Sequence, residues 1–183
     1  MPESIPISPE ELFAIKASAD AVAEANAFRT VPTNFYKIQG TKFSGYKNEP
    51  TPAHPEGRRI INCKAEVFQD SKRLLTIGFF ISPDEGRTKS HKLDREFRLY
   101  NQLANALFPD MKGNVGSMVD AGALLERFTQ YPVGAFITET FSSDPGPDGK
   151  RTYKDAKTDE EAIELRKLGW KPNNYVQSVG KVK

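Results

Sequence analysis

The chain has 183 residues, 38% of them hydrophobic and 27% charged, and a formal net charge of +2. That length suits one domain with a full core and leaves little for a second. No apolar run nears the length a bilayer requires, the lone Cys63 excludes an intrachain disulfide, and Glu10, Glu11, Asp20 and Glu24 break every window a signal peptide would use, so a cytoplasmic protein without a membrane partner is expected.

Charge is segregated along the chain. Residues 29–99 hold fourteen Lys or Arg against eight Asp or Glu, and 150–183 hold nine against five; residues 1–28 hold one against five, and 100–149 two against six. Segregation of this kind governs which partner a surface attracts, and a polyanion is the first candidate.

Taken in order, Ser8, Pro9 and Glu11 form a helix start, and Leu12, Ile15, Ala19 and Val22 place a narrow apolar stripe on a helix over residues 8–28. Two uses of that stripe stay open: packing on its own domain, or self-association into a homo-oligomer. The β-branched and aromatic residues of 33–46 predict a strand, with Gly40 and Gly45 as bend or bulge positions. Pro50, Pro52 and Pro55 then hold 48–57 in a loop. Ile61, Cys63, Ala65 and Val67 alternate with Asn62, Lys64, Glu66 and Phe68, and after a turn at 69–73, Leu75, Ile77, Phe79 and Ile81 alternate with Leu74, Thr76, Gly78 and Phe80. Period two gives each strand a core face. The other face would show Lys64, Phe68, Thr76 and Phe80 side by side, with Gly78 leaving room for a flat group.

A polar turn over 83–90 leads to a helix over 91–108, with Leu93, Phe97, Tyr100, Leu103, Ala104 and Leu107 inward, and Pro109 ends it. Ser117 and Asp120 open a shorter helix, 132–141 alternates as a strand, and the turn signals of 144–149 return the chain through 150–154. A loop or short helix from Thr158 stops near Gly169, and 174–182 reads as a last strand.

Catalytic chemistry finds little to stand on. His54 lies in the proline-rich loop and His91 at a helix start, with no ligand spacing around either, and no phosphate cradle or nucleophile elbow is present. Asp94 with Glu96, and Asp120 with Glu126, are explained as solvated or dipole-compensating charge. No enzyme, cofactor or metal is expected, with a nuclease using clustered carboxylates as the distant rival.

Single-strand binding needs cations for phosphates and rings for unstacked bases. The candidates are Lys42, Lys64, Lys72, Arg73, Arg87, Lys89, Lys150 and Arg151, with Tyr46, Phe68, Phe80, Tyr153 and Trp170 as rings and Tyr175 and Lys92 beside them. Each ring has a second reading as core. The basic excess and the outward rings coincide on one predicted hairpin, which favours the binding reading.

Strand, hairpin, helix, then further strands is the order of a five-stranded oligonucleotide-binding (OB) barrel. The expected fold is therefore α+β: an OB-fold-like five-stranded barrel over 31–183, with one or two helices between strands 3 and 4, and an extra N-terminal helical extension over 1–30. The stretches RRIINCKAEVF with LLTIGFFIS, FRLYNQLANALFP and LLERFTQYPVGAFITETF make the chain resemble small phage-encoded single-stranded-DNA-binding proteins, and a related phage family from recombination and replication gene clusters. The resemblance implies non-enzymatic binding of single-stranded DNA, or of RNA, in a host cytoplasm beside replication or recombination proteins. The chain ends in Lys181, Val182 and Lys183 rather than the acidic tail many such binders use for recruitment. The alternative is a phage structural or assembly protein that oligomerises through its N-terminal helix.

Overall fold

Alternation of buried and exposed residues runs through β1 (Asn34–Lys47), β2 (Arg59–Gln69) and β3 (Lys72–Ile81) of the computed structural model, which describes Ser8 and residues 30–182. Ile61, Cys63, Ala65 and Val67 of β2 and Ile77, Phe79 and Ile81 of β3 are buried on one side, as their period requires. Cys63 is fully buried, and burial pushes its thiol up to about 12, so it behaves as a small apolar side chain. The helix expected over residues 8–28, and the self-association tied to it, fall outside the described residues apart from Ser8.

The β2–β3 turn is tighter than its sequence suggests. Gln69 pairs with Lys72, so the turn proper is Asp70 and Ser71, both at positive φ (48° and 66°). Positive φ at both central positions belongs to the hairpin turn whose twist matches the flanking strands, and glycine suits its second position better than serine. Ser71→Gly is expected to raise stability by about 0.5–1 kcal/mol, read from chemical denaturation.

Three helical segments, rather than one or two, separate β3 from β4. They are α1 (Arg95–Leu107), the single turn α2 (Val115–Met118) and α3 (Ala121–Gln130). α1 starts four residues later than the apolar periodicity implies: Leu93 bridges to Arg87 in the loop, His91 has φ 61°, and Asp94 caps the helix by accepting the Phe97 amide at 3.0 Å. Its buried face is Leu99, Tyr100, Leu103, Ala104 and Leu107, while Leu93 is exposed. Asp120 caps α3 through the Ala123 amide at 2.8 Å.

β4 (Val133–Ser142) pairs with β1 and then with β5 (Tyr153–Ala156) in succession, and with β6 (Lys171–Gly180) along its length. The result is one six-stranded antiparallel sheet in an α+β arrangement, with α4 (Asp159–Lys167) between β5 and β6. The sheet is not closed, because β3 pairs only with β2 and β6 only with β4. The sixth strand, β5, departs from the expected five.

The main core lies between the inner sheet face and the helices α1 and α3, around Ile38, Val67, Leu103, Leu124 and Phe128. Gly40 sits where β1 bulges, and a Cβ there would come within 2.6 Å of the Phe128 and Phe43 rings, so the bulge and the ring packing depend on one another. A second, small core joins Phe141, Ala156, Ala162 and Leu165. Between the two cores Glu139 is 2% exposed and is held by Arg166 and the Thr30 hydroxyl. Asn174 fastens the approach to β1, accepting the Val31 amide and donating to the Val31 carbonyl, each at 2.8 Å.

Candidate nucleic-acid interface

The register of β1, β2 and β3 lays their outward side chains in rows. Lys42 stands opposite Lys64, which stands opposite Gly78; in the next row Ser44, Asn62 and Phe80 align; Tyr46 pairs with Ile60 beyond them. In the other direction come Gln39, Glu66 and Thr76, then Lys37, Phe68 and Arg73. Apart from Ile60, which is buried, strand pleating puts these side chains on the side away from the core.

Two aromatic groups bracket this face. At one end Tyr46 (51% exposed) and Phe80 (38% exposed) meet edge to face, with ring centroids 6.5 Å apart. At the other, half-buried Phe68 shares a cleft of about 530 Å³ with Phe35, Lys37 and Lys181. Phe35 is 62% exposed and lies 5.0 Å from Phe136 of β4, ring to ring. Phe80 aligns with Asn62 and Phe68 lies six residues further along β2, which separates the two ends by about 20 Å.

The charges between them are unevenly matched. Arg73 Nε pairs with Glu66 at 2.7 Å and its Nη2 donates to the Thr76 hydroxyl at 3.1 Å. Lys42 and Lys64 are exposed and have no ion pair among the described residues. Like charges directly opposite on a sheet destabilise it by up to about 1 kcal/mol. Gly78 on the far side of Lys64 offers no compensation, and a Cβ there would meet nothing closer than 3.9 Å. That leaves open ground beside two adjacent cations.

Of the thirteen residues singled out in the sequence, Lys42, Tyr46, Lys64, Phe68 and Phe80 come together on this face, with Lys72 and Arg73 at its hairpin end. Arg87 and Lys89 ride on the loop that leaves β3 at the Tyr46–Phe80 end, where His54 Nε2 meets the Glu85 carbonyl at 2.6 Å. Arg87 is occupied there, bonding Glu85 and the His91 carbonyl, while Lys89 is exposed. Lys150, Arg151 and Tyr153 (68% exposed) belong to the β4–β5 hairpin, off these rows. Trp170 packs half-buried against the second core, off these rows. Phe35, Lys37 and Phe136 escaped the sequence reading. Phe35 and Lys37 lie in a recognised strand, but the β1–β4 pairing that sets Phe35 against Phe136 spans about a hundred residues and leaves no local signal.

Among the described residues no group of three or more His, Cys, Asp or Glu is placed to hold a metal ion, and no helix is long and apolar enough to cross a membrane. In comparison with known proteins, no family model matches the chain, and neither a curated protein nor a solved structure matches it.

Proposed function

We propose that this chain binds single-stranded DNA without cleaving it, laying the strand across the outer face of β1, β2 and β3. The observation that carries the reading is the opposed Lys42–Lys64 pair, flanked by the exposed Tyr46 and Phe80 rings and by Gly78. A phosphate between the two ammonium groups turns their repulsion into shared attraction, and bases on either side find rings to stack on. Supporting the reading, the strand order β3, β2, β1, β4, β6 is the one an OB barrel would show if left open between its third and last strands, with β5 and α4 taken as an insertion before the last. Such barrels take oligonucleotides on the face of strands 2 and 3, where these rows lie. The segments that resemble phage single-strand binders support extending the proposal to a role in phage replication or recombination.

The test pits stability against affinity. Lys64→Glu is expected to stabilise the fold by about 0.5 kcal/mol, because it sets an acid opposite Lys42, while weakening binding to a dT oligomer. Lys64→Ala should make the slope of log affinity against log salt shallower by about 0.7, the share of one phosphate on a single strand. An unchanged slope and affinity in both variants would remove this face from consideration.

A further inference from the structure

β3 and β6 run in the same direction, four antiparallel steps apart around the sheet, and each turns an unpaired edge to the other. At their closest they come within 8 Å, Cα to Cα. Ladder neighbours lie about 4.8 Å apart and an inserted strand needs about twice that, so at its narrowest the seam has no room for another strand. α1 bridges part of it: the Gln102 side chain accepts the Val179 amide at 2.9 Å, and the Glu96 carbonyl accepts the Ser82 amide at 3.1 Å. The remainder is a cavity of about 340 Å³ lined by Thr76, Gly78 and Phe80 from β3, Asn173 and Tyr175 from β6, and Arg95 at the head of α1.

The walls of this cavity have a definite chemistry. The Arg95 guanidinium lies 3.8 Å from the centroid of the Tyr175 ring and makes a flat ledge with it. Its side chain is only 20% exposed, its Nε is buried without an acceptor, and the nearest charge is Glu96 at 3.6 Å. Asn173 spends its carbonyl oxygen on the Asn174 amide at 2.9 Å, which leaves its NH₂ without an acceptor among the described residues. The Thr76 hydroxyl accepts from Arg73 and keeps its own proton to donate. The slot is therefore flanked by two exposed rings, Phe80 and Tyr175 (41% exposed), and its polar side chains supply chiefly donors. An apolar side chain would leave those donors unmet, at a cost comparable to a lost hydrogen bond each. A flat ligand rich in acceptors meets them.

We infer that the β3–β6 slot takes one unstacked nucleobase, and that it prefers thymine, whose exocyclic groups are both carbonyl acceptors, to adenine, whose exocyclic group on the corresponding edge is a donor. The inference rests on the single-strand reading above and adds a base preference to a face that otherwise reads only backbone and ring. Gly78 connects the two, since it belongs both to the lysine row and to the lining of the slot.

The experiment is a fluorescence titration of the full chain with three oligomers of equal length: dT, dA and a wholly abasic tetrahydrofuran chain. The unaltered protein should hold dT about tenfold more tightly than dA, the scale of a mismatched set of base-edge hydrogen bonds. Tyr175→Ala should weaken dT by about tenfold, leave the abasic chain within about twofold, and be rescued by Tyr175→Phe, which keeps the ring. Asn173→Ala should narrow the gap between dT and dA. Equal losses on dT and the abasic chain, or an undiminished dT affinity in Tyr175→Ala, overturn the slot alone. Failure of the unaltered protein to bind any of the three overturns the single-strand reading and the slot with it.

Discussion

Removing both rings at the head of the binding face, as Tyr46→Ala with Phe80→Ala, is expected to lower affinity for a dT oligomer by about 2 to 6 kcal/mol, since each base stacked on an aromatic ring contributes about 1 to 3 kcal/mol by truncation. Both side chains are more than a third exposed and lie outside the two core clusters, so the variant should fold and keep its unfolding midpoint. The electrostatic part of binding should survive, because Lys42 and Lys64 are untouched. The salt slope is then unchanged while the intercept falls, the opposite of the pattern expected for Lys64→Ala. A ring that serves the fold gives a different result. Phe79, one residue away, is 4% exposed and packs its ring against Phe128 at 6.3 Å, and Phe79→Ala should destabilise the protein by about 3 to 5 kcal/mol. If the surface pair behaves like Phe79, losing stability rather than affinity, the face is core and the proposal fails.

The contrast between neighbours Phe79 and Phe80 shows what was legible beforehand. Period-two alternation in β2 and β3 is a local property, and it assigned Phe79 inward and Phe80 outward because the side-chain period along a strand admits no other arrangement. The same logic put Lys64 and Gly78 on one outer face before any register was known. What alternation does not carry is how strands meet at long range. The pairing of Lys42 with Lys64 depends on a bulge between Gly40 and Lys42 that shifts β1 by one residue, and Gly40 signals a bulge without saying which way its neighbours turn. The seam between β3 and β6 is a negative feature, an absent ladder, and no residue pattern announces it.

Helix limits failed for a related reason. Leu93 and Phe97 extend the apolar period of α1 backwards, so pattern alone starts the helix near His91. The true start is set at Asp94, whose carboxylate is engaged by Arg58 from 36 positions away. Trp170 is a similar case. An aromatic beside basic residues reads as a surface ring, but Phe141 of β4 joins Ala156, Ala162 and Leu165 of the β5–α4 insertion in a second core, and the indole packs half-buried against it.

Arg58→Ala is expected to produce a large loss of stability, about 3 to 5 kcal/mol, with the unfolding midpoint falling by roughly 10 °C. Arg58 grips Asp94 with two bonds, Nη1 to Oδ2 at 2.6 Å and Nη2 to Oδ1 at 3.0 Å, and donates from Nε and Nη2 to the Asp84 carbonyl at 3.1 Å each. The two side chains are 15% and 16% exposed. Truncating the arginine therefore strands a nearly buried carboxylate that must also cap α1. The loop has no room to adjust, since a Cβ on Gly86 would lie 1.9 Å from Asp94 Oδ2. Arg58→Met with Asp94→Ser, which removes both charges and keeps a capping hydroxyl, should recover much of the loss; failure to recover would show that the bonds to the Asp84 carbonyl, not the ion pair, hold the loop. Acid tests the adjoining latch. Asp84 accepts from the Arg59 side chain and amide, which hold its carboxyl down at about 2. A lowered folded-state value means that this contribution is present above the ordinary carboxylate range near pH 4 and disappears as pH falls toward 2, with a discount for solvent because Arg59 is 62% exposed. The loop carrying Lys89 and leading into Arg95 is thus fastened to the start of β2 by two arginines. Loosening Arg58 should accordingly weaken the preference for dT over dA well before the protein unfolds, because the ledge on Tyr175 depends on where α1 begins.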